Sequence, residues 1–220
     1  MVICRKRGIR VINFKNLVKP SPEQWKTAIM GMRNPMNSWN KSDSDFKMCE
    51  FVIGRNDLDL MKRLVKSGTD HRKFMRMLVV YVDIIAPLYW WKEFDTYRSG
   101  VEKNSCSTMH KIHTKRFERE DFSIEQLINC DEQHWIVCID NIISAINVAR
   151  EKYLETKEQK YWWQIIQLLP SSYNQKRTIM LNYEVLLNIY YARKNHKLSE
   201  WHDFCDWIKN LPFMGELIGE

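Results

Sequence analysis

IIQLLPSSYNQKRTIMLNYEVLLNIYYARKNHKLSEWHDFCDWI, residues Ile165 to Ile208, decides how the chain is read. Leu168-Leu169-Pro170-Ser171-Ser172 breaks a helix, since proline drives the residue before it out of the helical region. Lys176 to Lys194 is expected to carry the next helix. Ser199 to Asn210 predicts a last amphipathic one, with Trp201, Phe204, Cys205 and Ile208 on its apolar side. Just upstream, Ile136, Ile139, Ile142, Ile143, Ile146 and Ala149 recur at intervals of three and four, which predicts a helix reaching about Glu158. The second half is therefore expected to be mainly α.

The first half mixes periods. Met77 to Ile85, MLVVYVDII, is rich in β-branched residues and stops before Pro87, the pattern of a buried strand. Pro87 suits the first turn of a helix running to about Tyr97, ended by Ser99-Gly100, with a second extended piece expected over Asn104 to Ile112. Lys115 to Asp121 is charged and expected at the surface. Nearer the start, Ile9 to Phe14 alternates like a strand. Ser21-Pro22-Glu23 reads as N-cap, first helical position and acidic first turn, with Trp25, Ile29 and Met32 on one face. Asn34 to Asp45 reads as a loop, and Asp57 to Lys66 as a helix with Leu58, Met61, Leu64 and Val65 inward, closed by Gly68. No internal repeat or linker divides residues 1–220, which are expected to form a single domain.

With 220 residues the chain can bury a sizeable core without metal or disulfide support. Charged residues make up 28% and fall in every segment, so no apolar run approaches the ~18 residues a membrane span needs. The basic start is followed by a strand-like piece and not by a long apolar region, so no secretion signal is expected. Six cysteines stand singly, with no C-x-x-C pair, the usage of reduced thiols in a cytoplasm. A net charge of +7 favours anionic partners, but basic and acidic residues are interleaved and form no long cationic run. That balance suits a phosphorylated small molecule better than nucleic acid.

Several groups invite chemistry and also have a plainer explanation. His110 and His113 share a face only on a helix, and the local pattern is extended, so no metal site is expected. With no P-loop or G-x-G-x-x-G motif, a phosphate cradle of either kind is excluded. Tyr89-Trp90-Trp91 and Tyr161-Trp162-Trp163 can stack a flat ring but equally fill a core or a subunit interface. Cys106 is a candidate nucleophile only if a base or positive field stands beside it, and otherwise a structural thiol. Asn104-Ser105-Cys106-Ser107-Thr108, dense in small donors and acceptors, suits phosphate or ribose as well as a polar turn.

Placed in order, these segments resemble the flavin-dependent thymidylate synthases (ThyX). In that family a strand leads into a helix ending in Arg-His-Arg, within a wording R-Q-W-x-R-H-R-x-x-S-x-N-E-x-S-x-R-Y. Here Thr96-Tyr97-Arg98 stands in that place and keeps the last arginine. With one residue inserted after Arg98, Asn104 and Ser107 match the motif's Asn and Ser; without it Cys106 takes the serine's place. Asp70-His71 is similar to the family's Glu-His, Asn182-Tyr183-Glu184 to its Asn-x-Arg, and Leu169-Pro170, Thr178, Arg193, His196 and Glu200 also fall in family order. The agreement spans roughly Asp57 to Asn210.

The resemblance implies an α+β fold, a small, mostly antiparallel sheet with several long helices, the thymidylate synthase-complementing-protein-like arrangement. It implies FAD as cofactor, with NADPH and methylenetetrahydrofolate as co-substrates, and the reductive methylation of deoxyuridylate (dUMP) to dTMP, a methyltransferase reaction of nucleotide biosynthesis. It further implies a cytoplasmic homotetramer, with no metal and no protein nucleophile. On it, His71, Arg98, Asn104, Asn182 and His196 hold the flavin; Lys92, Ser105 and Ser107 face the nucleotide; Arg98 and Ser107 serve the chemistry. Arg98 and Asn182 are expected to line one crevice where subunits meet.

Two departures carry weight. Family arginines bind the phosphate and polarise the uracil, and neither Thr96 nor Glu184 can present a guanidinium fork. A lost charge-assisted contact of this kind costs ~3 kcal/mol of transition-state stabilisation, unless Lys92, Arg98 or a neighbouring subunit supplies a replacement. The alternatives are a catalytically degenerate homologue that retains a nucleotide pocket, or a basic nucleic-acid-binding protein whose aromatic clusters stack bases.

Overall fold

A computed structural model describes residues 12–47, 50–128 and 134–219. Among these, the order is β1 (Asn13–Val18), α1 (Pro22–Arg33), β2 (Asp45–Lys47), β3 (Glu50–Val52), α2 (Arg55–Lys66), β4 (Val79–Pro87), α3 (Leu88–Phe94), β5 (Val101–Ser105), α4 (Trp135–Thr156), α5 (Gln159–Leu168), β6 (Asn174–Asn182), α6 (Tyr183–Arg193), α7 (Ser199–Lys209) and α8 (Met214–Ile218). The architecture is α+β with small antiparallel sheets and long helices. Four strands order as β1-β4-β6-β5, and β2 and β3 form a separate antiparallel ladder pairing Asp45 with Val52 and Phe46 with Phe51.

The local code explains most boundaries. Ser21 caps α1 through the Gln24 backbone N–H while the Gln24 side chain accepts from the Ser21 N–H, a full capping box ahead of Pro22. The helix buries Trp25, Ala28 and Ile29. Gly68 ends the segment after α2 at φ +100°, a conformation that costs a side chain ~1–2 kcal/mol. β4 is nearly continuous in burial, as its β-branched run predicts. The β2–β3 ladder was not foreseen, because three-residue strands inside a polar run leave no period to read.

Three expectations are corrected. Asn174–Asn182 is a strand, not the start of a helix from Lys176. Gln175, Ile179 and Leu181 are its buried residues; both a helix and a strand place such positions acceptably, and the position between β4 and β5 decides for the strand. α3 stops at Phe94, three residues short of Tyr97. The extended piece after Gly100 is Val101–Ser105, and the chain beyond it turns. Part of the strand expected over Ile9 to Phe14 lies outside the described residues; β1 itself runs on to Val18.

The chain forms two compact units. Of the described residues, the first comprises 12–13, 84–96, 104–128 and 134–177; the second comprises 14–47, 50–83, 97–103 and 178–219. In the first, Ile139, Ile143, Ile146 and Ala149 of α4 pack with Ile165 of α5 and with Phe117 and Phe122. In the second, Trp25, Tyr183 and Phe213 meet edge to face, and Phe14, Phe204 and Trp207 stack. Burying a residue of this size contributes on the order of 2–3 kcal/mol.

Candidate functional site

In the second unit the candidate residues gather about the N-terminus of α6. Asn182 is its N-cap: Oδ1 accepts from the Val185 backbone N–H at 3.0 Å. That bond fixes the amide and leaves Nδ2 beside Gly100. A Cβ at Gly100 would lie 2.5 Å from Asn182 Nδ2, and φ there is +73°, so only glycine lets this turn approach the cap. The same turn is closed by the Val101 N–H donating to the Arg98 carbonyl, 3.4 Å. Arg98 and Asn182, placed far apart in sequence, therefore belong to one neighbourhood, with the Arg98 side chain exposed.

Beside Arg98, Tyr97 accepts from Arg193 Nε at 2.9 Å, and the Arg193 guanidinium lies 4.6 Å from the centre of the Trp201 ring. His196 stands edge-on to Trp201, and its Nδ1 accepts from the Leu198 N–H at 3.2 Å. In the neutral ring that bond assigns the proton to Nε2, a donor.

His71 is exposed in the turn after Gly68, where its N–H donates to the Gly68 carbonyl. The flanking residues grip Glu184, the second residue of α6. Thr69 Oγ1 donates to it at 2.6 Å, Arg72 Nε at 3.1 Å, and Arg76 Nε donates to its other oxygen. Burial alone would raise this carboxyl; the bonds from Arg76, Thr69 and Arg72 and the Arg76 charge more than offset it and hold it at about 2. Arg72 also donates to Asn188 Oδ1, 2.8 Å. The trio of Arg72, Arg76 and Glu184 was not foreseen, though the R-x-x-x-R interval following His71 is a visible cue. The Asp70 charge also acts on Arg76, and 46% of the Arg76 side chain is exposed.

In the first unit, α3 and the 104–107 segment share an anchor. Trp91 Nε1 donates to the Gln175 carbonyl (3.0 Å), Gln175 Nε2 donates to the Cys106 carbonyl (2.6 Å), and the Cys106 N–H donates to the Lys176 carbonyl (2.9 Å). Lys92, next to Trp91, is exposed, as are Asn104, Ser105 and Ser107. Ser107 Oγ accepts from the Met109 and His110 N–H groups, so its own hydroxyl hydrogen remains to donate. Arg177 is held by Asp95 (2.8 Å) over the Trp91 ring (4.4 Å). Trp90 and Trp91 are buried, core residues and not a stacking platform. Cys106, Cys138 and Cys205 are free thiols, and burial first, then Asp206, pushes Cys205 up to about 12; Cys4, Cys49 and Cys130 lie outside the described residues.

The full set thus offers guanidinium, amide, imidazole, ammonium and hydroxyl donors in two groups, one in each unit. Donors of these kinds suit a ligand rich in anionic and carbonyl oxygens. Among the described residues no cluster of three or more His, Cys, Asp or Glu is arranged for a metal ion.

Two solved structures match nearly the whole chain. Flavin-dependent thymidylate synthase ThyX from Helicobacter pylori, complexed with FAD and dUMP, superposes with a TM-score of 0.64, covering 95% of this chain and 97% of that one at 16% identity. The chain has the ThyX fold. A further Helicobacter pylori ThyX structure, with FAD and dUMP, gives 0.65 over 95% and 96% at the same identity. No family model matches the chain, and no curated protein does. At this identity the ThyX likeness is one of fold. It supplies the order of strands and helices into which the residues above are set.

Proposed function

We propose that this protein is an FAD-dependent thymidylate synthase-like enzyme that methylates dUMP reductively to dTMP, with NADPH and methylenetetrahydrofolate as co-substrates. The observation that carries the proposal is the near full-length match to ThyX structures complexed with FAD and dUMP. The donor set fits FAD: Arg98, His71 and the Nε2–H of His196 suit phosphate or ring carbonyl oxygens, and Asn182 Nδ2 is held in place by its capping bond. When bound, FAD supplies the hydride chemistry.

The chain's own residues then position and neutralise. Lys92, Ser105 and Ser107 take the nucleotide's anionic and hydroxyl groups, with Ser107 as donor. Arg98 counters negative charge developing on the pyrimidine. The family arginine replaced by Glu184 is compensated by Arg76, which keeps part of its guanidinium at the surface. No protein nucleophile is needed, and the work is orientation and electrostatics. Residues 1–220 serve as a single functional domain, in a cytoplasmic homotetramer whose subunit junctions complete the site.

An absorption spectrum of the purified protein, with and without dUMP, is the deciding measurement. Flavin bands that shift on adding dUMP support the proposal; colourless protein that takes up no added FAD overturns it. One observation favours a second reading. Glu184 is fully engaged where a catalytic arginine would stand, as in a homologue that binds nucleotide without chemistry. Release of tritium from the uracil ring separates the two.

A further inference from the structure

The turn following Ser107 and the junction of α4 with α5, all within the first unit, line an open cleft of about 360 Å³. Its walls are Met109, His110, His113, Tyr153, Lys157, Gln159 and Trp162, and no residue there belongs to the flavin or nucleotide groups proposed above. The volume falls in the range of small-molecule sites. Four flat rings line it, His110 among them: His113 and Tyr153 meet edge-on at 4.9 Å, and Trp162 is fixed by its indole N–H on the Met109 carbonyl, 3.1 Å.

The polar groups are one-sided. No carboxylate lines the cleft, whereas Lys157 does, at a left-handed φ of 59° that ends α4. His113 Nδ1 is buried and has no hydrogen-bond partner. Such a nitrogen forfeits about 1–3 kcal/mol unless something supplies the missing bond. Burial first, then the charges of Lys111, Lys157 and Arg150, hold His113 below the usual imidazole value, so the ring is neutral at pH 7. A neutral imidazole and the Gln159 amide offer donors and acceptors to the edge of a heterocycle.

We propose that this cleft binds a planar heteroaromatic anion of nucleoside monophosphate size, its ring among Trp162, Tyr153 and His113, its edge on Gln159, and its anionic group at Lys157. Aromatic faces beside a single cation accept a flat anionic ring.

Calorimetric titration of the full chain with AMP, adenosine and inorganic phosphate tests this. AMP is expected to bind saturably at sub-millimolar concentration and more tightly than either fragment. Lys157→Asn, whose side chain tolerates the left-handed backbone, is expected to weaken AMP by about tenfold and leave adenosine unchanged. His113→Phe retains the ring and is expected to weaken both AMP and adenosine. AMP binding no better than phosphate, or binding indifferent to both substitutions, overturns the proposal. So does loss of AMP binding in Arg98→Ala, which would locate AMP in the flavin group. Colourless protein that still binds AMP through Lys157 sinks the flavin proposal alone.

Discussion

Two buried carboxylates in the second unit, Asp57 and Glu184, are each held by arginine, yet they differ in where the charge ends. Asp57 accepts from Arg33 at 2.6 and 2.7 Å, from the hydroxyls of Ser42 and Ser44, and from the backbone N–H groups of Asp43 and Ser44. Arg33 is 4% exposed, and its remaining fork reaches the Ser38 carbonyl, so nothing faces outward. Glu184 is as closely satisfied, but one of its arginines is half in solvent. A closed pair is a staple that fixes the irregular segment before α2; an open one is a staple on one side and a charged surface on the other. Burial of the acid alone does not tell the two apart, and exposure of its partner does.

The largest effect should follow breaking the closed pair. Asp57→Asn leaves the Arg33 guanidinium buried without a counter-charge, and the loss is expected to be about 3–5 kcal/mol by chemical denaturation. A loss under 1 kcal/mol would mean that water reaches Arg33 and that the two sites are alike.

Glu184→Gln should cost less, about 2 kcal/mol at neutral pH, because Arg76 can relax into solvent. The folded carboxyl lies near 2 against about 4.5 unfolded, so its stabilisation is fully present above 4.5 and is lost as pH falls toward 2. The stability gap between wild type and variant should therefore close over that interval. A gap that stays constant down to pH 2 would show that the charge of Glu184 contributes nothing.

Gly100→Ala addresses the same helix terminus from the other side. The new Cβ meets Asn182 Nδ2 at 2.5 Å, and the backbone is left-handed there, for a cost of about 1–2 kcal/mol. If Arg98 and Asn182 act together, flavin uptake should fall along with stability. Unchanged uptake would separate the turn from the site.

How far the sequence could be read follows the same division. The α1 start, the burial of β4, and the ends at Gly68 and Leu168 were legible because capping, β-branching, glycine and proline act locally. β6 was not, because Gln175 to Asn182 has no decisive period and its neighbours in the sheet choose for it. The family order brought Arg98, Asn182, His71 and His196 to attention, but not what holds them. The pairing of Arg76 with Glu184, 108 residues away, is a product of the fold: the R-x-x-x-R interval marks the two arginines but not their partner. The same is true of Asp43, which caps α2 from a loop by accepting from the Asn56 and Asp57 N–H groups.

The finest test exchanges each arginine for lysine, retaining charge but not the fork. Arg33 bonds through Nε and both terminal nitrogens to two separate acceptors, in a site with no room for water. A lysine there offers one ammonium and leaves the Ser38 carbonyl unmet, so Arg33→Lys should lower stability clearly. Arg76 keeps its outer edge in solvent, where water replaces what the fork loses, so Arg76→Lys should scarcely change the melting temperature. If the exposed edge serves nucleotide phosphate, the same substitution should weaken dUMP binding by several-fold, since a point charge replaces a bidentate contact. A matched fall in stability from both substitutions would show that Arg76 is as closed a partner as Arg33, and the outward charge at Glu184 would then have no ligand to meet.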